Sequence, residues 1–193
     1  MASDDGDYVL IFNGEIYNFQ KIKLELEALG HHFNTHSDTE VILNAYIQWG
    51  SASVNKLQGM FTYVIWDKSK KSLFIARDRL GIKPLFYAFI DDRIFFASEL
   101  KSITLVPELD KKIDPKAIEQ YFALGYVAEP QTIYQQVSKL EPGHMLTIKV
   151  GDNKPVIEQY WDVSYAEERV LSESEYEVEM VEQFKTAVDS HMM

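Results

Sequence analysis

Four apolar runs crowd the middle of this chain and limit what it can fold into. Residues 60–66 (Met-Phe-Thr-Tyr-Val-Ile-Trp) and 72–77 (Ser-Leu-Phe-Ile-Ala-Arg) flank the polar turn Asp67-Lys68-Ser69-Lys70-Lys71. Residues 85–90 and 93–97 flank Asp91-Asp92 in the same way. Rich in aromatic and β-branched residues and broken by short polar turns, they read as two hairpins. They are too apolar for a sheet with one wet face, so both faces are expected to be covered.

The flanking segments supply candidate cover. Residues 8–12 (Tyr-Val-Leu-Ile-Phe) read as a further buried strand, entering a tight turn at Asn13-Gly14. Ile22, Leu24, Leu26 and Leu29 among Lys and Glu mark an amphipathic helix closed by Gly30. Ser37-Asp38-Thr39-Glu40 has the capping-box pattern, opening a helix through Val41, Ile42, Leu43, Tyr46 and Ile47 that stops near Gly50. Asp114-Pro115 starts a helix to about Leu124, with Asp at the cap and Pro in the first turn. Two strands, 145–150 and 156–160, are joined by Gly151-Asp152-Asn153. Residues 172–193 are acidic and helical with few apolar residues to bury alone, as expected for the start of another domain.

At 193 residues the chain holds one substantial domain and a little more. Nineteen Lys and Arg against thirty Asp and Glu leave a net charge of −11, which disfavours a nucleic-acid or anionic-membrane partner. No apolar run approaches the roughly 18 residues needed to span a membrane. The acidic opening Met1-Ala2-Ser3-Asp4-Asp5-Gly6-Asp7 is unlike a secretory signal, so the cytoplasm is the expected location. With no cysteine, the chain has no disulfide, thiolate zinc site or cysteine nucleophile of its own.

The residues with the clearest chemistry lie at Asn13-Gly14. Hydrolysis of an amide builds negative charge on the carbonyl oxygen, and preorganised donors such as a side-chain amide and a backbone N–H stabilise it. Asn13 and Gly14 offer both, and Gly14 admits a ligand close to the backbone. The same dipeptide is also a common tight turn. Its context is longer: Asn13-Gly14-Glu15-Ile16-Tyr17-Asn18, Ser37-Asp38-Thr39-Glu40, Leu57-Gln58-Gly59-Met60-Phe61, Arg77-Asp78-Arg79-Leu80-Gly81-Ile82-Lys83-Pro84-Leu85, Phe96-Ala97-Ser98-Glu99-Leu100-Lys101 and Leu140-Glu141-Pro142-Gly143-His144 follow in one order. Together they resemble the glutaminase domain of glutamine-hydrolysing asparagine synthetases, a class II glutamine amidotransferase, over about residues 1–163.

The resemblance implies an α+β fold with stacked β-sheets flanked by helices, the αββα arrangement of N-terminal-nucleophile hydrolases, incomplete at the N-terminus. It implies that L-glutamine is the ligand and is split to glutamate and ammonia. Asn13 and Gly14 become the oxyanion hole, while Glu15 and Asp38 hold the α-ammonium, a charge-assisted contact. For Asp38 the alternative is a helix cap, and for Glu15 a solvated turn carboxylate. The family's nucleophile is a cysteine at the very N-terminus. That residue has no counterpart here, nor has the arginine that grips the substrate carboxylate. Residues 164–193 are expected to be a linker and first helix leading to a synthetase domain, a partner in which aspartate is activated. ATP and magnesium are expected only there, and no cofactor or metal in this chain.

Ser3 and Thr39 are hydroxyls near the relevant segments, but neither has the adjacent base that a replacement nucleophile needs. His31, His32 and His36 with Asp38 fit no standard metal spacing, since His32 and His36 lie roughly 13 Å apart if extended. Asp78, Arg79 and Lys83 read as turn and salt-bridge structure, and Leu140 to His144 as a turn opening a strand. The whole implies part of a glutamine-hydrolysing asparagine synthetase, catalytically incomplete by itself. The alternatives are a non-catalytic glutamine-binding or regulatory module, or the glutaminase half of an amidotransferase with another acceptor. Lacking strands beside residues 8–12, the chain is expected to be marginally stable or to form homo-oligomers. Sedimentation and thermal unfolding check this, and a monodisperse, cooperatively unfolding monomer would contradict it.

Overall fold

A computed structural model describes residues 1–165 and 171–192. Its strands form two antiparallel sheets. The larger has the order β1-β2-β3-β7-β8, from β1 (Tyr8–Ile16), β2 (Gly59–Asp67), β3 (Ser72–Arg77), β7 (His144–Lys149) and β8 (Val156–Gln159). The smaller has the order β5-β4-β6, from β4 (Phe86–Ile90), β5 (Arg93–Ala97) and the two-residue β6 (Ser138–Lys139). Both expected hairpins are present. Asp67 closes the first: its Oδ1 accepts from Lys70 N–H at 2.9 Å and Ser69 Oγ at 2.7 Å. Asp91 and Asp92, with φ of 48° and 59°, close the second in the left-handed geometry that two-residue hairpin loops require.

The layers follow from which faces are apolar. Helices α1 (Phe19–Ala28) and α2 (Asp38–Trp49) pack on the larger sheet through Ile22, Leu26, Val41, Ile42 and Ala45 against Leu10, Phe61, Tyr63 and Ile65. Val64, Ile75, Leu85 and Leu146 fill the space between the sheets. The one-turn helix α3 (Leu100–Ile103) and the segment after it cover the far face of the smaller sheet through Ile103 and Leu109. The expected α+β arrangement, two stacked sheets flanked by helices, is therefore present. Two helices stand apart from these cores: α4 (Pro115–Leu124), capped by the Asp114 side chain and left-handed Gly125, and α5 (Glu173–His191), which buries no residue.

Several local expectations need correction. Asn13-Gly14 is not a turn: β1 runs on through Ile16 in unbroken register, Tyr8 opposite Asp67 and Ile16 opposite Gly59. The reason is close strand approach. A Cβ on Gly14 would lie 2.2 Å from Met60 O, and one on Gly59 would lie 2.1 Å from Glu15 O. Nor is β1 wholly buried: Val9 and Ile11 are 42% and 57% exposed, because β1 is an outer strand that the smaller sheet does not overlie. In α1 only Ile22 and Leu26 are buried, one i, i+4 pair, and Leu24 and Leu29 face solvent. Gly30 follows as expected, with Gly30 N–H donating to Glu27 O and His31 N–H to Leu26 O. Ser37 caps α2, but Glu40 does not close the box onto Ser37 N–H. It turns back to Asn34 and Thr35 instead.

The chain passes between the sheets through residues 77–85, where Asp78 is the organiser and not a salt-bridge partner. Only 1% exposed, its carboxylate accepts four backbone N–H groups: Phe61 (3.1 Å), Leu80 (3.1 Å), Ile82 (2.9 Å) and Lys83 (2.9 Å). The salt bridge belongs to buried Arg77, 2.8 Å from Glu129 and also donating to the carbonyls of Gly81, Lys83 and Leu140. Leu140 to His144 closes the same junction, with Gly143 N–H on Asp78 O at 2.9 Å, before β7 begins. Replacing Asp78 with Ala strands four amide donors, and the expected loss is roughly 3–5 kcal/mol. Urea unfolding of Asp78→Ala measures it; an unshifted midpoint would show that the loop holds itself.

Candidate functional site

One open cleft of about 460 Å³ lies where β1 ends and both long N-terminal helices begin, lined by Gly14, Glu15, Ile16, Phe19, Gln20, His36, Ser37 and Asp38. Three of the four residues singled out from the sequence, Gly14, Glu15 and Asp38, thus meet in one place. The fourth, Asn13, is not among the lining residues; its Nδ2 donates to Ser98 Oγ at 3.0 Å.

Each position has a local cause. Along β1, Tyr8 and Leu10 turn N–H and C=O outward to Met1 and Ser3, and Ile16 turns its N–H outward to Asp38. Alternation then places the N–H and C=O of Phe12 and Gly14 on that same outer edge, where no strand among the described residues pairs with them. Gly14 N–H is therefore a free donor at the cleft. Its missing side chain, by contrast, serves β2, so the glycine is required by strand packing as well.

Asp38 occupies the first turn of α2, just after the Ser37 cap, where the helix dipole favours a negative charge. Its Oδ2 accepts from Ile16 N–H at 3.1 Å, tying α2 to β1, so it is a positioned anion and not the cap. Glu15 is the opposite case. It is exposed on a strand, not in a turn, and its side chain forms no hydrogen bond or ion pair among the described residues. Next to it, burial pushes the Tyr17 phenol up, and the Glu15 and Asp78 carboxylates push it further, so it stays protonated. Phe19 and Gln20 open α1, which has no side-chain cap because Asn18 contacts Lys56 O and Gln58 N–H instead.

The remaining candidates disperse. His31 bonds Asn44 and Gln48 on α2, His32 lines a different cavity, and His36 borders the cleft. Among the described residues, no three His, Asp or Glu are placed to hold a metal ion. Ser3 Oγ bonds Asp5 and Tyr8, Thr39 Oγ1 bonds Asp38, and neither bonds a histidine. Sequence reasoning missed Gln20 and His36 as lining residues. The available signal was their place, one in the first turn of α1 and one just before α2.

Glu40 holds the loop that delivers Asp38. Although buried, it accepts from Asn34 N–H (2.8 Å), Thr35 N–H (2.7 Å) and Thr35 Oγ1 (2.5 Å). Burial pushes its carboxyl up, but these bonds, with Lys23 nearby, outweigh burial and hold it below the ordinary value of 4.5. A lowered folded value means stability that is full above that ordinary value and lost as pH falls through the lowered one. Glu40→Gln is expected to cost roughly 1–3 kcal/mol at neutral pH and to flatten stability against pH in this acid window. Chemical unfolding from pH 7 to pH 3 checks both; parallel wild-type and variant curves would remove Glu40 from this role.

Comparison with known proteins places these features in a family. The sequence profile described as "Glutamine amidotransferase domain" matches residues 1–161. Asparagine synthetase [glutamine-hydrolyzing] 1 of Bacillus subtilis strain 168 is 46% identical over 149 residues, 77% of this chain and 23% of that protein. Asparagine synthetase [glutamine-hydrolyzing] 3 of the same strain is 40% identical over 158 residues, 81% of this chain and 25% of that protein. The chain thus spans about a quarter of the length of these relatives. Among solved structures, the glutamine phosphoribosylpyrophosphate amidotransferase from B. subtilis, complexed with ADP and GMP, aligns with a TM-score of 0.56. It is 23% identical and covers 83% of this chain and 31% of that one. The fold is that of the N-terminal-nucleophile amidotransferases. No helix among the described residues is long and apolar enough to cross a membrane.

Proposed function

Because this chain belongs to the glutamine amidotransferase domain family, we propose that its cleft binds L-glutamine as part of the glutaminase module of an asparagine synthetase. The observation that carries the reading is the convergence of Gly14, Glu15 and Asp38 on one cleft from two elements. The α-ammonium lies between the Glu15 and Asp38 carboxylates. The first turns of α1 and α2 border the same cleft and favour the α-carboxylate. The side-chain carbonyl reaches the free Gly14 N–H on the outer edge of β1, with the Asn13 amide as second donor.

In the complete reaction a cysteine thiolate attacks that carbonyl, and the two donors take up the oxyanion charge. Glutamate and ammonia result, and ammonia passes to aspartate activated by ATP in a synthetase domain. Residues 164–193 lead to that domain, and the setting is cytoplasmic. This chain supplies the ammonium grip and the oxyanion donors. It has no cysteine, which favours a second reading: a module that binds glutamine without cleaving it.

Isothermal calorimetry tests both. Glutamine binding at millimolar concentration without release of ammonia is expected of this chain alone, and no binding would overturn the site. The Glu15 side chain has no hydrogen-bond or ion-pair partner among the described residues, so Glu15→Gln removes charge without disturbing the fold. Its affinity for L-glutamine is expected to fall roughly tenfold with an unchanged melting temperature. Equal affinity in the variant would release Glu15 from the ammonium.

A further inference from the structure

We propose that Ser98 is a positioning residue for Asn13, fixing how the Asn13 amide presents its N–H groups to a bound side-chain carbonyl; this rests on the reading of the cleft as a glutamine site. Asn13 stands on the face of β1 that looks toward the smaller sheet, the face it shares with Val9, Ile11 and Glu15. The smaller sheet stops short of this strand, leaving Val9 and Ile11 exposed. Asn13 is the exception. Its Nδ2 donates to Ser98 Oγ at 3.0 Å across 85 residues of sequence. Among the described residues this is the one hydrogen bond from β1 to the smaller sheet or the segment leaving it.

The bond matters because an asparagine amide is two-sided. Rotation about its last torsion is broad and roughly two-fold, so nitrogen and oxygen readily exchange places. With oxygen forward, the group would repel a developing oxyanion; with nitrogen forward, it stabilises one. In the arrangement seen here the Ser98 hydroxyl accepts from Nδ2, which holds the nitrogen in place and occupies one N–H, leaving the second for the ligand. Ser98 is itself well placed. It follows directly on Ala97, which pairs with Phe86 at the end of the β4–β5 ladder, and precedes Glu99 at the start of α3. The segment Phe96 to Lys101, which carried no chemistry in the sequence reading, thereby acquires a role: the smaller sheet sets the orientation of a donor on the larger one.

The test uses the full chain with Ser98→Ala and Ser98→Thr. Side-chain amide signals of Asn13 are followed by ¹⁵N–¹H spectroscopy, and binding of L-glutamine is compared with binding of L-norvaline, which keeps the α-groups but lacks the amide. In the wild type one of the two Asn13 N–H protons should be protected from exchange and the other not. Ser98→Ala should remove that protection and weaken glutamine binding roughly three- to tenfold, the worth of one neutral hydrogen bond, with norvaline unaffected. Ser98→Thr, which keeps the hydroxyl, should restore both. Unchanged Asn13 signals in Ser98→Ala would overturn the proposal, as would parallel weakening of both amino acids, which marks general damage. If the wild type binds neither amino acid, the glutamine reading fails, while the Asn13 signals still decide whether Ser98 orients the amide.

Discussion

The structure depends on one buried carboxylate. Two sheets stacked face to face need a connection, and here the chain crosses from β3 to β4 in eight residues. A crossing that short turns sharply, and a sharp turn leaves backbone N–H groups without ladder partners. Asp78 accepts four of them at once, and Arg77 gathers the carbonyls of the same turn. Arg77 is in turn neutralised by Glu129, and its own carbonyl accepts from the Tyr160 hydroxyl at 2.7 Å. Burial first, then the Asp78 charge, pushes the Tyr160 phenol up, so it remains a donor.

This junction reaches the cleft through β2. Asp78 accepts from Phe61 N–H and its own N–H donates to Phe61 O, so Phe61 is clamped on one side by the junction. Phe61 pairs with Gly14 across β1–β2. The strand that carries Asn13, Gly14 and Glu15 is thus seated against a fixed neighbour. On its other edge, Ile16 is fixed by Asp38. Gly14 lies between these two anchors, its outward N–H free and its position determined from both sides.

Much of this was legible in the sequence where one force dominated. The hairpins around Asp67–Lys71 and Asp91-Asp92 were clear because apolar runs and turn residues agreed. The Ser37 and Asp114 caps and the Gly30 and Gly50 stops were clear for the same reason. The errors fall where tertiary contact decides. Asn13-Gly14 has the composition of a turn, and only the approach of Met60 and Phe61 keeps it extended. Glu40 has capping-box spacing, yet the Asn34–Thr35 loop claims its carboxylate. Asp78, amid Arg and Lys, suggests ion pairs, whereas its real partners are backbone amides that no sequence pattern displays. The two-residue β6 has no periodicity to detect. At the cleft, Gly14, Glu15 and Asp38 were legible as a set because motif order carried them, but the Ser98 contact spans 85 residues and leaves no local trace.

Glu15 and Asp38 differ in how they are held. Asp38 spends one oxygen on Ile16 N–H and sits at a helix N-terminus, so its position is fixed and its charge partly compensated before any ligand arrives. Glu15 is uncompensated. A lone exposed carboxylate beside a fixed one is mildly repulsive in the empty cleft, and a cation between them relieves that repulsion while satisfying both. An ammonium carries three donors and fits two carboxylates with one to spare. A neutral group gains less from the same pair, and an anion is repelled. On the glutamine reading proposed above, the two carboxylates select for charge at one end and the Gly14 and Asn13 donors select for a carbonyl at the other. An α-amino acid with a side-chain carbonyl meets both conditions.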